Sequence, residues 1–312
     1  MENDYNTRAQ LEDQVIELKQ SYGQSVEDSI AAFEMNREKI QDNNTLYYNE
    51  KKDMKERKHY YKSVVNAGGN YFSLYHRLIK RTHKRILPYF ISKDQFLYTW
   101  VDMHPDGAVK SIYSGEKKDP KTLIKEDYAT IKNRFIEFQQ LLKTASHLED
   151  LDKKVKNIET EYKFNTEHIV PVSWYGGKEP MKGDLHHLFV CQPECNTIRS
   201  NFPYDDFSFY VPESPNEQIQ NRCGIAKESR FEPEDGKGAA ARAMLYFLLR
   251  YPGEIKKSFR RQIDLSLLIY WHKKFEVTLY EKHRNLAIYR IQGNRNPFID
   301  FPDLAEKMRF RL

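Results

Sequence analysis

Between Phe164 and Phe207 the chain gathers Glu167 and His168 side by side, then Asp184, the pair His186 and His187, Asn196 and Arg199. Together these types suit hydrolysis of a phosphodiester. A neutral imidazole takes a proton from water, carboxylate and amide oxygens suit a hard divalent cation, and a guanidinium holds a phosphate through paired hydrogen bonds. Histidine as the base is informative, because its ordinary pKa of roughly 6.5 leaves it mostly neutral yet still basic near physiological pH. An oxygen-only ligand set that includes an uncharged amide leaves positions for water, which suits Mg²⁺.

The order of these residues resembles the endonuclease I family of His-Me finger nucleases. The resemblance is carried by Glu167-His168 with Pro171 and Ser173-Trp174, then Asp184-Leu185-His186-His187-Leu188, then Asn196 with Arg199-Ser200-Asn201. Downstream, Phe231-Glu232-Pro233, Lys237-Gly238, Ala241-Arg242 and the run from Gln292 to Phe298 follow the same family, so the likeness spans about residues 65 to 308. It implies a ββα-metal motif, in which a strand, a loop, a second strand and a helix carry the base and a metal-binding Asn. Carried over by motif, His168 is the expected general base, Glu167 and Asn196 the expected metal ligands, and Asp184 the reserve carboxylate. Mg²⁺ is the expected ion, with Mn²⁺ and Ca²⁺ as alternatives. DNA is the expected substrate, RNA a second one, and the products would carry 5′ phosphates. One departure is Ala239 directly after Gly238, where many relatives carry Asp; Arg242 is still expected to point toward the phosphate.

Each residue also has a structural reading. Consecutive strand residues face opposite ways, so Glu167 and His168 are expected to share a site only if the strand is irregular there. By the same argument at most one of His186 and His187 approaches a metal. Asn196 equally suits a helix cap. Arg199, three residues on and so on the same helical face, suits either a catalytic phosphate contact or an ion pair. The three cysteines exclude an extensive disulfide framework. Cys191, Cys195 and Cys223 are open to three readings: free thiols, one disulfide with a thiol left over, or a structural Zn²⁺ site lacking an obvious fourth ligand.

The elements that must carry these groups are mostly helical, and the expected fold class is α+β, predominantly helical, with a small antiparallel sheet at the site. From Glu12 to about Val64 the sequence is highly charged and free of proline, with Val15, Leu18, Tyr22, Val26, Ile30, Phe33 and Ile40 at mostly helical intervals. This predicts one or two exposed helices. Residues 1–64 are therefore set apart as an N-terminal extension from a nuclease domain at 65–312. The extension is open to a role as an oligomerisation arm, a DNA clamp, or a docking helix for an inhibitor or regulatory partner. A short strand is expected around Phe96 to Val101, a long amphipathic helical stretch from Leu123 to Ile158, and a buried helix from Ala239 to Leu249.

Lys and Arg number 50 against 45 Asp and Glu, a formal charge of +5 that suits a polyanionic partner only weakly. The densest basic run is Arg77, Lys80, Arg81, His83, Lys84 and Arg85, with Tyr71, Phe72, Tyr75 and Tyr89 interleaved. It predicts a backbone grip by Lys80, Arg81, Lys84 and Arg85, against the alternative of a solvated helix face. No apolar run follows Met1 and none approaches the roughly 20 residues that span a bilayer. The expected location is thus the cytoplasm, although relatives in the family are often secreted. Two rival readings are a non-catalytic nucleic-acid-binding protein on the same fold and a structural-zinc protein. A zincin HExxH motif and a phosphate-binding glycine loop are both missing.

Overall fold

The computed structural model describes residues 2–22, 25–42, 44–65, 67–144, 151–210 and 223–310. The helices that matter here are α1 (Glu2–Tyr22), α2 (Val26–Asp42), α3 (Glu50–Tyr60), α4 (Tyr71–Thr82), α5 (Pro120–Thr144), α6 (Leu151–Glu161), α7 (Pro193–Arg199), α8 (Lys237–Arg250), α9 (Leu265–Lys274) and α10 (Leu279–Gln292). Three antiparallel strand pairs complete the α+β architecture: β1 (Val109–Lys110) with β2 (Lys117–Lys118), β3 (Thr166–His168) with β4 (Leu188–Val190), and β5 (Ile225–Lys227) with β6 (Arg230–Glu232).

Helix α8 is buried on nearly every side and lies at the centre of the largest core cluster, where Tyr246 and Phe247 meet Trp174, Trp271 and Phe298. Its apolar run has no polar face because no face meets water. The chain enters α8 through Gly236 at φ +77°, where a side chain would put Cβ 2.3 Å from the Ile112 carbonyl oxygen, so glycine is required. Helix α10 opens on a capping box of Thr278 and Glu281. It ends at Gly293, whose φ of +94° and close approach to the Thr82 carbonyl again admit no side chain.

The charged N-terminal helices are not the exposed pair that their composition predicts. Phe33, Ile40 and Tyr47 join Leu97, Leu188 and Val190 in a second core cluster, and Tyr60, Tyr61 and Val64 belong to the largest one. Buried ion pairs explain how so charged a segment packs: Asp53 of α3 takes the Arg295 guanidinium at 2.8 Å. The expected strand near Phe96 is instead a π-helix, Ser92–Val101, in which the Asp102 amide donates to the Leu97 carbonyl at 2.9 Å. Periodicity cannot separate a short apolar strand from a buried helical turn, and here the helix wins. Among the described residues no helix is long and apolar enough to cross a membrane.

Candidate functional site

Strands β3 and β4 pair in register, Thr166 with Val190, Glu167 with Phe189 and His168 with Leu188. The loop between them carries a short helix at Val172–Tyr175 and a 3₁₀ turn at Leu185–His187, and α7 follows β4 after two residues. Strand β3 is fixed from the side by Asp127 of α5. Its carboxylate accepts from the Asn165 amide at 2.9 Å and from the Tyr98 hydroxyl at 2.6 Å, and Tyr98 also meets Thr166 Oγ1 at 2.7 Å. Strand β4 is held by Asp102, which accepts from the Val190 amide at 2.7 Å and pairs with buried Arg284. Arg284 also donates to the carbonyls of Leu185 and Leu188.

Thr166, Glu167, His168 and Asn196 border one cleft of about 740 Å³. The strand stays regular through His168, and Thr166, Glu167 and His168 all line the cleft although successive side chains alternate in direction. His168 is half-buried. Its Nε2 lies 2.9 Å from the Lys182 carbonyl oxygen, which can only accept, so Nε2 carries the proton and Nδ1 keeps the lone pair. Burial, reinforced by the neighbouring His187, lowers its pKa to about 3 and keeps the ring neutral. The Tyr89 ring lies 5.0 Å from it and the His187 ring 5.5 Å.

Glu167 is almost wholly buried. Its Oε1 accepts from the Tyr113 hydroxyl at 2.9 Å and lies 3.0 Å from Arg199 Nε in an ion pair, while that Nε donates to the Tyr113 hydroxyl at 3.3 Å. Burial pushes its pKa to about 7 despite the pull of Arg199 and Tyr113. Asn196 is not a cap: α7 begins at Pro193 with Gln192 in the cap position. The Asn196 Nδ2 donates to the Thr166 carbonyl at 2.9 Å, which commits the amide nitrogen and leaves Oδ1 as its free acceptor.

The other sequence candidates lie elsewhere. Asp184, the reserve ligand, is fully buried and saturated: Gln292 Nε2 and the His186 amide donate to Oδ1, and the hydroxyls of Tyr246 and Tyr251 to Oδ2. It organises the loop and has no path to the cleft. His186 meets the Asn294 carbonyl at 3.3 Å, and His187 meets that of Met181 at 2.5 Å. They follow one another in a 3₁₀ turn rather than on a strand.

Arg199 is buried beneath the site, bound to Glu167 and to the carbonyls of Ile169 and Phe202, and does not border the cleft. The structure places Arg199 in the ion pair with Glu167. Arg242 likewise points inward, at 2.6 Å from Glu281 and 3.1 Å from the His272 carbonyl. A carboxylate after Gly238 would therefore have no phosphate-facing arginine to brace. Cys195 and Cys223 form a disulfide and Cys191 is a buried free thiol, which removes the zinc reading.

Lys80, Arg81, Lys84 and Arg85 are exposed and none borders the cleft; Arg81 and Lys84 line a separate groove with Lys62, Tyr60, Tyr289 and Arg290. His83 and Tyr75 of the same stretch are buried. Sequence reasoning missed Lys182, Tyr113 and Asp127. Lys182 acts through its carbonyl, which every residue has, so its side-chain type carried no signal. The other two act only after the chain has brought distant elements together.

A neutral imidazole, a buried carboxylate and an oriented amide on one cleft are the groups of a site for hydrolytic chemistry. The Endonuclease I family model matches residues 97–303, roughly two thirds of the chain, and the chain belongs to that family. It is 31% identical over 171 residues to the extracellular ribonuclease of Bacillus amyloliquefaciens, covering 50% of this chain and 57% of that protein. To Endonuclease-1 of Buchnera aphidicola subsp. Baizongia pistaciae it is 28% identical, with 46% and 64% covered, and to an extracellular deoxyribonuclease of Aeromonas hydrophila 29%, with 46% and 68% covered. The match thus spans about three fifths of the length of these relatives. The Bacillus and Aeromonas relatives are named extracellular, and a further Aeromonas hydrophila relative is named a periplasmic deoxyribonuclease, which overturns the expectation of a cytoplasmic protein. The Cys195–Cys223 disulfide fits an oxidising compartment.

Proposed function

We propose that the chain is a divalent-metal-dependent, largely sequence-nonspecific endonuclease that hydrolyses phosphodiester bonds of DNA and RNA to 5′-phosphate products. The observation that carries this reading is the orientation of His168: Nε2–H is spent on the Lys182 carbonyl, so the lone pair at Nδ1 is the basic position on a cleft shared with Glu167 and Asn196. In this role Nδ1 takes the proton of the attacking water. The approach of a phosphodiester anion would raise the basicity that burial has lowered. Relatives named as a ribonuclease and as deoxyribonucleases support both nucleic acids as substrates.

The donor set fits a hard cation of the Mg²⁺ type, with Mn²⁺ and Ca²⁺ as alternatives. Glu167 keeps Oε2 clear of the Tyr113 and Arg199 contacts, which fall on Oε1. Asn196 offers Oδ1 because its nitrogen is committed. Among the described residues no group of three or more His, Cys, Asp and Glu side chains could hold a metal, so a bound ion would keep several waters, as Mg²⁺ does. Such an ion would stabilise charge on the phosphoryl and leaving oxygens. Arg199 and Tyr113 orient Glu167 from below, and Thr166 orients Asn196.

The decisive test is incubation of supercoiled plasmid and of structured RNA with the purified protein in Mg²⁺, then in chelator. Cleavage in Mg²⁺ that chelator abolishes is the expected result. Intact polymers with every divalent ion tried would overturn the reading. Asn196→Ala should shift the Mg²⁺ titration to higher concentration, and an unchanged midpoint would remove Asn196 from the ligand set.

A further inference from the structure

Helix α1 forms a wall of the same cleft that holds His168. Asp13, Gln14, Glu17, Leu18 and Ser21 all face it. Two of the five are carboxylates, in a cleft whose proposed ligand is a polyanion. Glu17 pairs with Lys182 Nζ at 2.7 Å, and the Lys182 carbonyl is the group that fixes His168. The helix is also fastened to the cleft's other walls: Gln14 donates to Glu159 of α6 at 3.1 Å, and Ser21 to Asp94 of the π-helix at 2.6 Å.

Helix α1 packs along α5. Among the described side chains, α1 contributes Leu11 to a small cluster with Phe138, Leu141 and Leu151, apart from the two main cores, with Val15 and Leu18 only partly buried. The ion pair that ties α1 to the cleft, Glu17 with Lys182, lies at the surface and adds little to that hold.

From this placement we infer that α1 is an acidic strap that competes with nucleic acid for the catalytic cleft. This rests on the proposed nuclease reading. Glu17 occupies Lys182, a cation that borders the path of a phosphate backbone, and Asp13 one helical turn away repels the same backbone. Substrate must displace the strap or slide beneath it, so the free chain binds polyanions less tightly than its cleft alone would. The strap changes access to the site and leaves the chemistry at His168 as it is.

The test uses the full chain with Asp13→Asn and Glu17→Gln together, both at exposed positions. A control pair, Glu12→Gln and Glu38→Gln, makes the same change in net charge at exposed positions that do not border the cleft. Saturation kinetics on a polymer substrate in Mg²⁺ give KM and kcat, and fluorescence anisotropy of a labelled oligonucleotide in chelator gives Kd. Loss of two surface carboxylates beside the ligand should lower KM and Kd by about 3- to 10-fold, with kcat and the melting temperature unchanged and the control pair nearly silent. Unchanged Kd, an equal fall in the control pair, or a raised KM with a lowered melting temperature would each overturn the strap. Absence of cleavage by every protein would instead overturn the nuclease reading, while the Kd comparison would still judge the strap.

Discussion

Two regions of this chain follow the endonuclease I pattern, and they use it for different ends. In the stretch from Glu167 to Asn196, His168, Glu167 and Asn196 border one cleft. The stretch from Arg242 to Phe298 is also rich in charge, but its buried charges are consumed inside the protein. Arg242 pairs with Glu281, which also caps α10; Arg295 pairs with Asp53 and Asp300; Gln292 holds both Asp184 and the Leu185 amide. What separates the two is the uncommitted atom. A polar side chain whose donors and acceptors are all satisfied internally is scaffold, whatever motif it belongs to.

This contrast is broken first where the expected effect is largest. Arg242→Ala leaves the buried Glu281 carboxylate unpaired and should lower unfolding free energy by roughly 3–5 kcal/mol, while the folded fraction cleaves at the parental rate. Urea denaturation alongside activity per folded molecule checks it. A rate loss with stability intact would move Arg242 into the site.

Next comes the covalent tie. Replacing Cys195 and Cys223 by Ala should remove about 2–4 kcal/mol of stability. Because Asn196 follows Cys195 directly, the Mg²⁺ titration should also shift upward in this variant. An unchanged Mg²⁺ midpoint would show that the amide is positioned by its bond to Thr166 alone.

Acid sharpens the comparison more gently. His104 and His186 are both lowered to about 4 by burial, and His283 is lowered too. The unfolded chain, with ordinary histidines near roughly 6.5, binds more protons than the folded one between those values, so stability falls as pH drops through that window. Glu167 and Glu232, both raised to about 7, oppose it over much of the same range. The buried histidines are the more numerous, so the melting temperature should be lower at about pH 5 than at about pH 7.5. A higher melting temperature at the acid end would contradict that balance.

The smallest effect belongs to the exposed basic run. Replacing Lys80, Arg81, Lys84 and Arg85 by neutral residues should leave the fold unchanged and reduce the salt dependence of DNA binding by about 0.9 in log–log slope per lost phosphate contact. An unaltered slope would make them a solvated helix face.

The sequence shows the mostly helical class and the buried α8, and it singles out Glu167, His168 and Asn196, which border one cleft, because these depend on local pattern and on residue type. It does not show which arginines would turn inward. Arg199 and Arg242 occupy helix positions that suit a phosphate contact as well as an ion pair, and the choice is made by Glu167 and by Glu281, brought in from elsewhere in the chain. Nor does composition reveal that Phe33 of α2 and Tyr60 of α3 enter the cores, since both lie in a segment dominated by charged residues. The carbonyl of Lys182 was invisible for the plainest reason: backbone groups acquire a role only through geometry.

The most direct measurement is the rate of plasmid cleavage by His168→Ala in Mg²⁺, read together with its melting temperature and its affinity for DNA in chelator. Loss of a general base from a half-buried position should slow cleavage by about 10²- to 10⁴-fold, with folding and affinity nearly unchanged. Cleavage at the parental rate, or a loss that merely follows unfolding, would contradict the assignment of His168 as the base.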